Sequence, residues 1–399
     1  MNAAAAASER CIAHLDMDAF YASVELLRYP QLQAQPVVIG GRRRVAASID
    51  AAATASTTES ADAGRFERLA DYQGRGVVTT ATYAARAFGI RSGMALMQAA
   101  RLCPQAVLLP ADFEEYRRYS RLFKAAITAV APRIEDRGID EVYIDFDAVP
   151  GGAQQQGLPL ARRIQQAVRE RTGLGCSIGV APNKLLAKLA SEFDKPNGLT
   201  ILRAPDLDTR VWPLSCRKIN GIGPKAAARL ERLGIGTIGE LAQCERGWLI
   251  EQFGRHHGQW LHEVSWGRDA RELVTESEPV SMSCETTFER DLHAVRDRAE
   301  LGAVFTSLCE RLAADLARHG YVGRTVGVKL RYDNFRSLTR AQTLKFHTAD
   351  AAVIRRTAGL CLRRAPLERR LRLLGVRMGG LLAAAAAPTE PEPQALELF

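Results

Sequence analysis

The chain has 399 residues, is 47% hydrophobic and 25% charged, and carries a net charge of +9 at pH 7. That length suggests two to four domains with ample chain for buried cores, and no apolar run approaches the roughly 18–20 residues needed to span a bilayer. Eight scattered cysteines without a C-x-x-C pair argue against a disulfide framework or zinc site and for a reducing, cytoplasmic setting, and MNAAAAASER lacks the features of a secretion signal.

In chain order, Cys11–Leu15 reads as a short buried strand ending at Asp16. Phe20, Val24 and Leu27 follow at helical spacing, so the strand delivers Asp16 to a helix N-terminus whose free N–H groups suit phosphate oxygens. Phe20 and Tyr21 lie in the first turn of that helix, where an aromatic plate could face a bound sugar or base; for one of the two, plain core packing is the expectation. Pro36–Gly41 is a second buried strand. Residues 42–75 turn small, polar and turn-prone, the composition of a mobile loop. Tyr83, Arg86 and Arg91 then follow a Thr-rich strand into a short helix, a combination suited to gripping a polyphosphate. An amphipathic helix is predicted over Leu122–Val130.

The segment Ile134–Asp147, IEDRGIDEVYIDFD, mixes Ile139, Val142, Ile144 and Phe146 with Asp140, Glu141, Asp145 and Asp147. Its β-branched and aromatic content predicts a strand. Two adjacent carboxylates cannot both enter a core unpaired, so Asp140 and Glu141 are placed at the strand's mouth around a hard cation with oxygen ligands. Asp16, from an adjacent strand, is the candidate third carboxylate. The plainer alternative is an edge strand with solvated acids.

A helix over Leu160–Arg171 comes next, then a strand (Cys176–Val180) and a helix running from Pro182 through Phe193. Lys184 and Lys188 share a helix face by their spacing, and Lys195 is held extended by Pro196. This alternation predicts an α+β sheet with helices packed on one side. Between Leu214 and Leu241, the Gly221-Ile222-Gly223 turn precedes Pro224 at a helix start, and Gly234-Ile235-Gly236 turns the chain into a second helix. Such a helix-hairpin-helix converges backbone N–H groups on a phosphate without reading sequence, although a tight turn in a helical domain has the same pattern.

The last domain reads strand (282–288), helix (297–318), strand (324–333), strand (338–347), helix (350–363) and strand (370–378). Tyr321–Gly379 holds fourteen Lys or Arg against Asp333, Asp350 and Glu368, a net +11 that leaves −2 for the rest of the chain. This is the footprint of a polyanion-binding module, or simply of a basic soluble surface. Val326, Val328, Leu330 and Tyr332 should face helices, with Lys329 and Arg331 on the opposite face; Lys345 should likewise oppose Phe346. From Leu381 the chain becomes an Ala/Pro/Glu linker ending in QALELF, either a short docking peptide or a disordered tail.

LDMDAFYASVE, TTATYAARAFGIRSGM, IDEVYID and SIGVAPNKLLAKLASEFDKPNGL, in this order and with the hairpin and basic last domain, resemble the Y-family DNA polymerases. The resemblance implies a right-hand α+β fold: palm (1–18 and 112–203), fingers (19–111, with the 42–75 insert), helical thumb (204–272), linker (273–279), little finger (280–382) and a tail (383–399). It implies that Asp16, Asp140 and Glu141 are the catalytic carboxylates and, with the Met17 carbonyl, hold two Mg²⁺ ions, for which Mn²⁺ can substitute. Phe20, Tyr21, Thr80, Tyr83, Arg86 and Lys195 match nucleotide-contacting positions, with Tyr21 as the steric gate against a ribose 2′-OH. Gly221, Gly223, Lys225, Lys329, Arg331 and Lys345 are the expected DNA contacts. Gln394, Leu396, Leu398 and Phe399 are similar to a sliding-clamp peptide, from which Ala395 departs. Gly138 stands where the family usually has Ser, and the 42–75 insert is longer than the usual finger loop.

The implied activity is primer-template-directed addition of deoxynucleotides by a cytoplasmic monomer, suited to damaged templates and without a proofreading exonuclease. A nucleotidyl cyclase can also use a palm with paired acids, but needs neither the hairpin nor the basic last domain. A DNA- and clamp-binding scaffold descended from a polymerase would have lost the carboxylates, and all three are present.

Overall fold

The computed structural model describes residues 10–41 and 66–386. Residues 42–65 of the low-complexity segment and the candidate clamp residues Gln394, Leu396, Leu398 and Phe399 lie outside the described residues. The chain divides into two compact units, Met1–Glu276 and Ser277–Phe399. No described helix is long and apolar enough to cross a membrane.

In the first unit, β1 (Ile12–Met17) turns into α1 (Phe20–Arg28) through Ala19, whose φ of 45° is left-handed. A small sheet follows, built from β2 (Val37–Gly40), β3 (Val78–Ala81) and, beyond α2 (Tyr83–Ala87) and α3 (Leu96–Leu102), β4 (Val107–Leu109). β2 lies between antiparallel β3 and parallel β4. Its core includes Val38, Ile90, Leu96 and fully buried Leu69. Leu69 starts a 3-10 turn, Leu69–Asp71, inside the stretch expected to be a mobile loop. The loop reading therefore fails over residues 66–75, because one large apolar side chain with a core to enter outweighs polar neighbours.

Next, α4 (Phe113–Thr128) begins well before the expected Leu122, capped by Asp112, whose side chain accepts from the Glu115 N–H. Then come β5 (Ile134–Asp136), β6 (Glu141–Asp145), α5 (Leu158–Thr172), β7 (Cys176–Ala181), α6 (Lys184–Ala190) and β8 (Leu199–Ile201). The resulting five-stranded sheet has the order β5-β6-β1-β7-β8, with β1 antiparallel to both neighbours.

All six β1 residues are buried. Ala13, Leu15 and Met17 join a core with Phe123, Ile127, Leu160 and Ile164 of α4 and α5. Ile12 joins a second core with Leu185, Leu186 and Leu189 on the other side. The sheet is thus covered on both faces, not on one as expected. Fully apolar alternation is missing on the second face because His14 and Asp16 occupy it, and each meets a polar partner there.

Four helices complete this unit: α7 (Pro224–Arg232), α8 (Ile238–Ala242), α9 (Arg246–Phe253) and α10 (Arg255–Ser265). Pro224 occupies the first turn of α7 as expected, and Thr237 and Glu240 form a capping box at α8. Gly221 has a φ of +112°, and a Cβ there would lie 2.8 Å from the Trp260 ring, so this position requires glycine.

The second unit comprises β9 (Ser281–Leu292), α11 (Arg298–Arg318), β10 (Tyr321–Tyr332), β11 (Ser337–Thr348), α12 (Ala351–Arg363) and β12 (Leu371–Ala383). Its antiparallel sheet has the order β11-β10-β12-β9. Val326, Val328, Leu330 and Tyr332 are buried with Phe305, Leu308 and Ile354 from the two helices, the alternation expected of β10. It breaks on β11. The register jumps from Gly323↔Thr348 to Thr325↔Thr343, and within that irregular stretch Lys345 and Phe346 are both exposed. Phe346, expected on the packed face, is therefore exposed, at the point where the irregularity interrupts the pleat.

Candidate active site

The backbone N–H of Met17 donates to the Asp140 carbonyl at 3.0 Å, closing the last hydrogen-bonded pair between β1 and β6. The next pair inward is Asp16 opposite Glu141. It is therefore a non-hydrogen-bonded pair, the kind whose Cα atoms approach to about 4.5 Å. Asp140 sits immediately outside β6, at its mouth.

Asp16 is buried, and burial pushes its carboxyl up to about 7 against the pull of the Lys195 ammonium, 2.8 Å away. Lys195 also meets Glu192 at 2.6 Å; burial disfavours its charge, but Asp16 and Glu192 more than offset this and raise it. Burial likewise raises Glu141, but the Lys188 ammonium, at 2.6 Å, opposes it and the carboxyl is held well below its usual range. Burial and the Glu141 charge push Asp140 up, with Lys188 and Lys195 opposing. The three carboxylates and two ammonium groups thus share one electrostatic cluster.

This donor set fits a hard divalent cation: carboxylate oxygens, with the Met17 carbonyl beside them. Two of the carboxylates already bind cations, since the Lys195 and Lys188 ammonium groups lie directly on Asp16 and Glu141. Among the described residues, no group of three or more His, Cys, Asp or Glu side chains is gathered closely enough to hold an ion in this arrangement.

Of the two aromatics in the first turn of α1, Phe20 is 3% exposed and packs edge-on against Phe123 in the core. Tyr21 is half-buried, stacked on Tyr116 at 4.3 Å and edge-on to Phe113. Burial and the Asp140 charge raise its hydroxyl, so Tyr21 borders the carboxylates. Thr80, Tyr83 and Arg86 come together on β3 and α2. Arg86 donates to the Ala81 carbonyl at 3.0 Å and to Thr80 Oγ1 at 3.5 Å, and its guanidinium lies 4.9 Å from the Tyr83 ring centre. Arg91 donates to the Arg86 carbonyl at 2.7 Å.

Residues 15–192 match the impB/mucB/samB family, residues 205–235 the IMS family HHH motif, and residues 279–395 the impB/mucB/samB family C-terminal domain. The chain is 36% identical to the DNA polymerase IV of Alkalilimnicola ehrlichii over 98% of this chain and all of that one. It is 38% identical to that of Halorhodospira halophila over 93% of this chain and 95% of that one. The chain belongs to the Y-family DNA polymerases. Its fold is similar to a solved Y-family DNA polymerase chimera of Dbh and Dpo4, with a TM-score of 0.75 at 23% identity over 93% of this chain and 99% of the other. It is also similar to an insertion ternary complex of Dbh DNA polymerase, with a TM-score of 0.62, 23% identity and the same coverage. As a Y-family member it is a metal-dependent, DNA-directed DNA polymerase of the translesion class.

In this Y-family chain the expected DNA contacts fall in both units. Gly221, Gly223 and Lys225 lie at the start of α7 in the first. Lys329, Arg331 and Lys345 lie on β10 and β11 in the second, where Lys329 pairs with Glu285 at 2.8 Å and Arg331 donates to Ser337 Oγ at 3.2 Å.

Sequence reasoning missed three polar residues of the palm. Buried His14 donates through Nδ1 to Ser191 Oγ at 2.8 Å, because Ser191 itself donates to the Lys188 carbonyl. Burial lowers the imidazole to about 4, so it is neutral and its Nε2 faces the Lys188 ammonium at 3.4 Å. Asp18, which follows β1, is also buried and multiply hydrogen-bonded. The strand period of two, which puts His14 on the Asp16 face, was the available signal for His14. Asp18 and Ser191 had none, as their partners are distant in sequence.

Proposed function

We propose that this chain adds deoxynucleotides to a primer 3′-OH on a DNA template by two-metal phosphoryl transfer, with low fidelity suited to copying damaged templates and without proofreading. The observation that carries the reading is the direct apposition of Asp16 and Glu141 across β1 and β6, with Asp140 at the same mouth. Asp16, Asp140, Glu141 and the Met17 carbonyl would hold two Mg²⁺ ions, which supply charge neutralisation at the triphosphate and at the attacking hydroxyl. Lys195 and Arg86 contribute fixed positive charge beside the phosphates, in a site too buried for water to screen it fully. Thr80 adds a hydroxyl contact from the same cluster, and Tyr83 borders the triphosphate with its ring beside Arg86, its one hydroxyl hydrogen going to Asp18. Tyr21 excludes the ribose 2′-OH: stacked on Tyr116 and flanked by Phe113, it cannot swing aside without losing both contacts. Phe20, buried beneath it, supports Tyr21 from the core.

The helix-hairpin-helix and the basic face of β10 and β11 hold the primer-template through its backbone, independent of sequence. The C-terminal peptide containing Gln394, Leu396, Leu398 and Phe399 docks on the sliding clamp. The protein works as a cytoplasmic monomer, a setting consistent with eight free cysteines. Primer extension with Mg²⁺, on undamaged and damaged templates, tests the reading: extension opposite the lesion is expected, and no deoxynucleotide addition on either template would overturn it.

A further inference from the structure

Asp18 lies between the segments that carry two of the proposed phosphate contacts. It is 5% exposed. One carboxylate oxygen, Oδ1, accepts from Ser177 Oγ at 2.8 Å and from the Tyr83 hydroxyl at 3.4 Å; the other, Oδ2, accepts from the Asn197 backbone N–H at 2.7 Å. Ser177 Oγ in turn accepts from the Gly198 N–H at 3.2 Å. Two successive amides just beyond Lys195 are therefore tied to one buried carboxylate, directly and through Ser177. The same carboxylate receives Tyr83 from α2, on a different part of the chain.

The segment it holds is also tied to β7 and α5: the Gly198 carbonyl accepts from the Ile178 N–H at 2.9 Å. Asn197 has a left-handed φ of 58°, its side chain accepts from Arg169 at 2.8 Å, and its carbonyl accepts from Gln165 at 3.1 Å. A Cβ on Gly175 would lie 2.1 Å from Asn197 Oδ1, so only glycine at 175 lets Asn197 approach this closely. Lys195 itself reaches back to Asp16 at 2.8 Å.

We propose that Asp18 is a positioning residue for the incoming nucleotide, which fixes the distance and orientation between Tyr83 and the Lys195 segment so that both meet one triphosphate. This rests on the reading that Tyr83 and Lys195 contact the triphosphate. A carboxylate accepts from all three donors with full negative charge. An asparagine can still accept from the Asn197 N–H, but its NH₂ then faces the Ser177 and Tyr83 hydroxyls, which must turn from donors into acceptors, and every bond loses its charge assistance.

The test is single-nucleotide addition to a primer-template by the full chain with Mg²⁺, combined with amide hydrogen exchange. Asp18→Asn should raise KM for the deoxynucleotide about tenfold, the loss expected for one charge-assisted hydrogen bond, with kcat within about threefold of wild type. Exchange should rise locally at Asn197 and Gly198. Tyr83→Phe should raise KM in the wild-type background but add nothing to Asp18→Asn, since the two act as one unit. Ser177→Ala, a milder change, should move KM and the Gly198 amide in the same direction. The proposal is overturned if Asp18→Asn leaves KM unchanged, or if it lowers kcat with a general rise in exchange across the palm. It is overturned equally if Asp18→Asn does not fold and Ser177→Ala leaves both KM and the Gly198 amide unmoved. If Tyr83→Phe and Lys195→Met both leave KM unchanged, the underlying reading fails instead, and local exchange in Asp18→Asn still reports whether the carboxylate holds the segment.

Discussion

Asp16 faces Glu141 across two antiparallel strands, and each carboxylate is met by its own ammonium group, Lys195 at 2.8 Å and Lys188 at 2.6 Å. Facing carboxylates repel unless a cation lies on or between them. Two lysines from α6 and the segment after it provide that compensation within the chain, in the place where the proposed divalent ions act.

Asp140, at the mouth of β6, contributes charge to this cluster without supporting a strand. Asp140→Ala should lower the rate of nucleotide addition by at least about a hundredfold. Primer-template affinity should be unchanged, since the expected DNA contacts lie elsewhere. Single-turnover extension and fluorescence anisotropy measure the two quantities separately; activity within a few-fold of wild type would remove Asp140 from the metal site.

The gate assigned to Tyr21 acts by steric exclusion from a stacked position. Tyr21→Ala should raise ribonucleotide relative to deoxynucleotide incorporation by about a hundredfold, the scale of discrimination that shape alone supplies. Competing both nucleotides on one template gives the ratio directly, and unchanged sugar selection would assign the role to another side chain.

Lys184 tests burial against charge. Its ammonium meets Glu135 at 2.5 Å with both side chains at most 5% exposed, and Glu135 also accepts from the Val274 N–H at 2.8 Å. Lys184→Ala leaves that carboxylate only half-exposed Arg137, at 3.6 Å, and the Val274 N–H, and should cost about 3 kcal/mol, whereas Lys184→Met with Glu135→Leu should recover most of the loss. Chemical denaturation of the three proteins decides; equal stability of single and double variants would contradict it.

Asp269 gives a pH dependence away from the catalytic carboxylates. Burial raises its carboxyl, but hydrogen bonds from Arg271 and from the Leu185 N–H outweigh this and lower it below the ordinary 3.8. A carboxyl depressed by folding stabilises the protein above its unfolded value, and that contribution disappears as pH falls through the folded one. Asp269→Asn should therefore reduce Tm at pH 7, by the equivalent of about 1–3 kcal/mol, with the difference closing below 3.8. Thermal melts of both proteins from about pH 7 to pH 2.5 test this; a constant difference would mean that Asp269 acts through shape alone.

Much of this was legible in the residue order. Strand and helix periods located β1, β7, α5, α7 and the alternating face of β10, because each buries one face or both in a regular pattern. The acidic run at Asp140–Glu141 stood out because an unpaired buried carboxylate is too costly to be incidental. Even the Gly138 departure has a local reason: its φ of +136° is a conformation that suits glycine and strains serine.

What the pattern could not supply were partners. Lys184 and Lys188 share one helix face, yet one is buried on Glu135 and the other lies on Glu141. Leu69 looked like part of a loop until a core from β2 and α3 closed over it. Asp18 became the anchor of the Lys195 segment only once Ser177, Tyr83 and Asn197 arrived from three separate parts of the chain. Local sequence sets the backbone's periodic preferences, since these depend on neighbours a few residues away. Which carboxylate meets which donor depends on side chains brought within about 3 Å by the tertiary fold, a distance that residue order does not encode.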